Sequence, residues 1–155
     1  MSDVIIYTDG SAKGNPGNGG YGAVLLFKEH EKRLSQGYLM TTNNRMELLA
    51  VIIALESLKR ACDVMIYSDS KYVIDSVEKK WVFGWQKKGF KGKKNPDLWL
   101  RFLEIYKNHK VQFTWVKGHA GNKYNEICDI LAVNAAESSN LIHDTVYEMT
   151  ITNKK

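Results

Sequence analysis

Residues 4–27 read VIIYTDGSAKGNPGNGGYGAVLLF. The first five are β-branched or aromatic, and Asp9-Gly10 follows, so 4–8 reads as a buried strand running into a turn. GNPGNGG (14–20) reads as a loop, and 21–27 as a second strand. A third strand is expected at 34–40, reached through the charged segment 28–33, which makes an antiparallel meander. Further on, 43–59 reads as a helix that is apolar nearly all round and therefore buried. Asn44 is its expected cap, with Glu47 three residues later completing a capping box. A strand follows at 64–68, and Asp69-Ser70 opens another helix. Trp99, Phe102, Leu103 and Tyr106 fall at i, i+3, i+4 and i+7, one face of a helix beginning near Asp97. A strand at 111–116, a loop GHAGNK and a helix at 125–137 complete the pattern. A polar tail from about 138 is expected to be flexible, and 145–152 alternates like a strand. Three hairpin-like strands followed by alternating helices and strands give an α/β mixed sheet with helices on its faces.

The 155 residues fit one domain, 1–155. The longest apolar run, LLAVIIAL at 48–55, is far short of the ~20 residues of a membrane span. The N-terminal MSDVIIYTDG lacks the basic start and long apolar core of a secretory leader. Cys62 and Cys128 form no metal-binding spacing, and two isolated cysteines suit a reducing, cytoplasmic setting. Net charge is +5, yet KKWVFGWQKKGFKGKK (79–94) carries seven lysines and no acid, leaving the rest of the chain at −2. A compact basic patch on a slightly acidic body points to a polyanion, nucleic acid before an anionic membrane. Lacking a long amphipathic apolar face, the stretch does not suit a membrane surface.

Four carboxylates stand out. Asp9 and Asp69 each follow a strand, where ligands of open α/β sheets bind. Glu47 lies in the first turn of the buried helix, and Asp129 among the apolar residues of NEICDILA. Singly, each has a plainer role as a turn residue, a cap or a solvated side chain. Together they form a costly convergence of like charge that a divalent cation would relieve. An all-oxygen set suits Mg²⁺ or Mn²⁺, and one or two such ions support phosphodiester hydrolysis. His119, between two glycines of WVKGHAGN, has the near-neutral intrinsic pKa that suits proton transfer.

YTDGSAKGNPGNGGYGAVL, TTNNRMELLAVIIALE, YSDSKYV and WVKGHAGNKYNEICDILA, in this order from about 4 to 136, resemble the type I ribonuclease H family of bacteria. The resemblance implies a ribonuclease H-like five-stranded mixed sheet, three antiparallel strands then parallel ones, flanked by helices. It implies endonucleolytic cleavage of the RNA strand of RNA–DNA hybrids with Mg²⁺ or Mn²⁺, leaving 3′-hydroxyl and 5′-phosphate ends without strong sequence specificity. It assigns Asp9, Glu47, Asp69 and Asp129 as catalytic, metal-binding carboxylates and His119 to proton transfer or product release. Asn15, Asn43 and Asn44 match positions that hold substrate, and Thr42 a position that grips a DNA phosphate. Ala12, Lys71 and Phe90 stand where cysteine, glutamine and tryptophan are common.

The basic stretch resembles the family's basic handle, here about 79–96. Lys87, Lys88, Lys91, Lys93 and Lys94 supply phosphate affinity without reading sequence. Trp81 and Trp85, four apart at helical spacing, serve the core, the substrate or both. A DNA-cutting nuclease of the same broad fold and a non-catalytic hybrid-binding module are the competing readings. Against the first stand the hybrid-cutting motifs; against the second, four retained carboxylates that a phosphate binder would not keep. A monomer is expected.

Overall fold

The computed structural model describes residues 2–117 and 122–152. Its elements in chain order are β1 (Val4–Lys13), β2 (Gly17–Phe27), β3 (His30–Thr41), α1 (Asn43–Glu56), β4 (Asp63–Ser68), α2 (Lys71–Glu78), α3 (Trp81–Lys87), α4 (Pro96–Tyr106), β5 (Lys110–Trp115), α5 (Lys123–Glu137), β6 (Leu141–His143) and α6 (Thr145–Thr152). The sheet is ordered β5-β4-β1-β2-β3-β6. β1, β2 and β3 form the antiparallel meander, and β4 and β5 add in parallel beside β1. The mixed sheet is as expected, with one strand more than five, because β6 pairs in parallel with β3.

The meander strands are longer than their apolar runs. The β1–β2 ladder continues through Lys13↔Asn18, so glycines read as loop belong to a strand. Close packing explains them. A Cβ on Gly20 would come within 2.6 Å of the Ala132 carbonyl oxygen, and one on Gly22 within 2.4 Å of that of Cys128. Helix α5 thus rests directly on the backbone of β2. Asp9 faces Gly22 across the ladder and Gly10 faces Tyr21, so successive positions alternate between sheet faces. Gly22 looks toward α5 and Gly10 toward α1, and the two helices therefore cover opposite faces.

Helix α1 is buried almost all round, as its composition predicts. Its N-cap is Thr42, whose hydroxyl accepts from the Arg45 N–H at 3.2 Å, and not Asn44. Glu47 therefore has no capping-box role. The helix ends at Glu56 rather than 59, with Ser57 Oγ donating to the Ala54 carbonyl at 2.7 Å. Trp99 and Phe102 of α4 are fully buried against it. The handle leaves the domain at Lys80 and rejoins it at Asn95, both in left-handed conformation, φ 65° and 61°. Residues 145–152, read as a strand, form helix α6: the Glu148 N–H donates to the Asp144 carbonyl at 2.9 Å, and the Thr150 and Thr152 hydroxyls, which would need partners elsewhere in a strand, donate to the Val146 and Glu148 carbonyls one turn back.

Replacing Gly22 with Ala must push α5 outward and is expected to cost ~2 kcal/mol in urea denaturation. Gly84→Ala on α3, where an added Cβ meets nothing within 4 Å, is the control, expected neutral or stabilising by up to ~1 kcal/mol. Equal losses in both variants would reject the close-packing account.

Candidate active site

β1 and β4 are hydrogen-bonded neighbours only from Val4↔Val64 to Tyr7↔Tyr67. β4 then stops at Ser68 while β1 runs on to Lys13. A cleft opens where they part, at the carboxyl ends of the parallel strands. Asp9 lies just past the last rung, and Asp69 just past the end of β4. Ser70, not Asp69, caps α2, accepting from the Val73 N–H at 3.2 Å, which leaves the Asp69 carboxylate free of that duty.

Glu47 reaches the same cleft because Gly10 has no side chain. A Cβ there would sit 2.3 Å from the Glu47 nitrogen, so α1 lies directly on the strand. The Gly10 N–H donates to Asp9 Oδ1 at 2.9 Å and also to Glu47 Oε1. Asp9, Glu47 and Asp69 each bring a carboxylate oxygen within 4.8 Å of the others. The cleft, about 460 Å³, is further lined by Ser11, Asn43, Asn44, Lys71, Tyr72 and Asp129. Asp129, half-buried on α5, stands at the wall and outside the tight group of three.

Asp9 and Glu47 are 5% and 4% exposed. Among the described residues, no cationic side chain forms an ion pair with either of them or with Asp69. Burial first, with the charges of Asp69 and Asp129, pushes the Asp9 carboxyl up to about 7 against the pull of its bonds with Glu47 and the Gly10 N–H. Glu47 is raised well above the ordinary range by burial first and then by Asp9. The cleft is thus short of positive charge, and its donors are hard oxygens. That is a set to hold a divalent cation.

The other expected residues fall in two groups. Asn15 Oδ1 accepts from the Asn43 N–H at 3.1 Å, which gathers Asn15, Thr42, Asn43 and Asn44 at the start of α1 beside the carboxylates. A second cleft of about 450 Å³, lined by Lys71, Tyr72, Asp75, Ser76, Trp81, Trp85, Gly92, Lys93 and Lys94, shares Lys71 and Tyr72 with the first. Trp81 is 47% exposed. Trp85 is half-buried and edge-on to Trp99 at 6.0 Å, and Phe90 is buried, so these two hold the handle. Lys87, Lys88 and Lys91 are exposed but line neither cleft. His119 lies outside the described residues. Sequence reasoning passed over Tyr72, whose signal was its place three residues after Asp69. Lys71, noted only as a departure, lines both clefts with its Nζ 4.4 Å from the Trp115 ring.

A carboxylate cleft that opens onto a basic, aromatic groove defines an α/β domain that can pair a divalent cation with a polyanion. The chain belongs to the ribonuclease H family: residues 1–137 match the family model described as RNase H. It is 51% identical over 150 residues to a ribonuclease H of Rippkaea orientalis, covering 94% of this chain and 92% of that one. With ribonuclease HI of Haemophilus influenzae it shares 55% over 143 residues, 89% and 92% of the two chains. Among solved structures it resembles LC9-RNase H1, a type 1 RNase H with the type 2 active-site motif, with TM-score 0.78 and 32% identity over 86% of this chain and 72% of that one. It also resembles LC11-RNase H1 in complex with an RNA/DNA hybrid, with TM-score 0.67 and 26% identity over 86% and 96%.

The raised carboxylates make a pH prediction. Between its ordinary value and about 7, folded Asp9 holds a proton that the unfolded chain has released, and the raised Glu47 acts in the same sense. Stability of the metal-free protein therefore falls as pH rises through that window. With chelator present, the melting midpoint is expected to be lower at about pH 8 than at about pH 5. Asp9→Asn keeps an acceptor for Gly10 but removes one charge, and should raise the midpoint at about pH 8 by ~4 °C or more. A pH response identical in both proteins would show that the carboxylate pair is not its source.

Proposed function

We infer that the protein is an endoribonuclease that hydrolyses the RNA strand of RNA–DNA hybrids, with 3′-hydroxyl and 5′-phosphate products and no strong base preference. The observation that carries this reading is the gathering of Asp9, Glu47 and Asp69 at the head of a groove continuing to Trp81, Trp85, Lys93 and Lys94. Mg²⁺, with Mn²⁺ as substitute, fits the oxygen donors, and Asp9, Glu47 and Asp69 would hold it, with Asp129 at the wall for a second ion. When bound, the cation supplies charge to stabilise the phosphoryl oxygens and activate water. The Gly10 N–H keeps two of the carboxylates oriented without a cation. His119 is assigned to proton transfer or product release.

Asn15, Asn43 and Asn44 offer amides beside the cleft to a minor groove, where the 2′-hydroxyl distinguishes RNA from DNA. Thr42, at the helix N-terminus, presents a site suited to phosphate. Trp81 offers an open face to sugar or base. Lys87, Lys88, Lys91, Lys93 and Lys94 attract the partner strand by charge. Two free, buried cysteines suit a reducing compartment, and we place the protein in the cytoplasm as a monomer. No described helix is long and apolar enough to cross a membrane.

End-labelled hybrid, duplex DNA, duplex RNA and single-stranded RNA, each with Mg²⁺ and with chelator, test the reading. Cutting is expected only in the RNA strand of the hybrid and only with metal. Asp9→Asn should lower turnover by at least ~10³-fold while hybrid binding stays within about threefold, since it removes a charge that repels phosphate. Hybrid binding without cleavage by the unaltered protein would leave a recognition module, and cleavage of duplex DNA would overturn the substrate assignment.

Neutralising the five handle lysines is expected to flatten the salt dependence of hybrid binding, by ~0.9 in slope for every phosphate they no longer neutralise. An unchanged slope, measured by fluorescence anisotropy across a salt series, would assign the patch to another partner.

A further inference from the structure

Arg45 is 3% exposed, a cation inside the core of α1, two residues before Glu47. Its Nη1 and Nη2 form a fork to Asp97, at 2.9 and 2.8 Å. Its Nε and Nη2 form another to Asp144, at 2.7 and 2.9 Å. Asp97 lies in the first turn of α4, where the handle rejoins the domain, and Asp144 follows β6 near the C-terminus. Arg45 Nη1 also reaches Asn95 Oδ1 at 3.3 Å. Asn95 Nδ2 then donates to the Tyr72 hydroxyl at 3.0 Å, as does Trp99 Nε1 at 2.8 Å. Tyr72 lines both clefts. A single buried guanidinium thus connects the carboxylate helix, the foot of the lysine handle and the C-terminal segment.

A core cation is costly, and simple stability would be as well served by apolar side chains. What this network adds is a fixed relation between elements. We propose that Arg45 is a positioning residue: with Asp97 it sets the handle at a fixed place relative to Asp9, Glu47 and Asp69, and Asp144 completes the lock from the C-terminal segment. This rests on the hybrid reading, because the handle and the carboxylates must then engage one duplex together. With the foot of the handle free, the lysines still carry their charge but no longer hold the duplex over the cleft. Ordering that the fold otherwise supplies in advance must then be met on binding.

Asp97→Ala is the discriminating variant, since Asp144 still neutralises Arg45 while the handle's foot keeps only the longer Asn95 bond to it. Hydrogen exchange at amides of 81–94 is expected to quicken by about tenfold, with those of β1 and β4 unchanged. KM for hybrid should rise by about tenfold with kcat within about twofold, and Asp97→Glu should recover part of the loss. With the five handle lysines already neutralised, Asp97→Ala should change KM little. Equal exchange in handle and sheet, or an unchanged KM well below the melting temperature, would overturn the proposal and leave Arg45 a stability element alone. Failure of the unaltered protein to cut hybrid would instead count against the substrate reading. The exchange measurement, which needs no substrate, would still decide whether the lock exists.

Discussion

One backbone N–H, that of Gly10, serves two buried carboxylates at once. It can do so only because β1 carries no side chain there and α1 lies against the bare strand, with Glu47 backbone where a Cβ would stand. The parting of β1 from β4 opens the cleft, but the contact at Gly10 decides what fills it. Moving α1 outward by the width of a methyl group would withdraw Glu47 and leave Asp9 with Asp69 alone. The site is therefore a consequence of how closely a helix approaches a strand.

The same stretch of α1 carries charge in two different conditions. Arg45 is enclosed by Asp97 and Asp144, and its guanidinium is raised further above its ordinary value because their bonds exceed the opposing effect of burial. Asp97 is held below the ordinary carboxylate range by Arg45, although burial alone would raise it. Glu47, half a turn on, accepts from the Gly10 N–H and lies against two other carboxylates, and among the described residues no cation pairs with it. The matched charge fixes geometry, and the unmatched charge remains available to a cation. Buried charge that is paired rigidifies, and buried charge that is unpaired seeks a partner. The metal-free fold carries strain at the second place, which it withstands because α1 is otherwise buried apolar surface on nearly every side.

Much of this was legible in the chain. The order of strands and helices gave the mixed sheet, and Asp69 follows the end of β4 as read; Asp9, read as ending a strand in an Asp-Gly turn, lies instead inside β1, just past the last rung shared with β4. Glycine was harder to read. Gly20 reads as loop and Gly22 as an ordinary strand position until α5 is laid across them, and the helix comes from the far end of the sequence. The cap of α1 was misplaced by two residues, since Thr42, Asn43 and Asn44 are all good caps and only the observed backbone chooses among them. Asp144 was invisible for the same reason as Gly22. It lies in a polar tail whose meaning depends on Arg45, some hundred positions earlier. Local pattern reports periodicity and propensity; it does not report which distant charge completes a buried pair.

The separation of lysines from carboxylates has a consequence for how metal and substrate bind. A phosphate entering the cleft meets three clustered acids with Asp129 beside them, and Lys71 and the helix N-terminus oppose that field. The neighbouring cleft presents Lys71, Lys93 and Lys94, and Asp75 is the only acid among its described lining residues. Asp9, Glu47 and Asp69 would hold a divalent cation in the first cleft, and its charge would offset that field toward a phosphate. Each ligand would then improve the place of the other, and such a coupling is the same in both directions. Unmatched acid next to fixed base would disfavour a phosphate in the first cleft until a cation is held there. The charge such a site needs before it takes a phosphate is one that its own side chains do not supply.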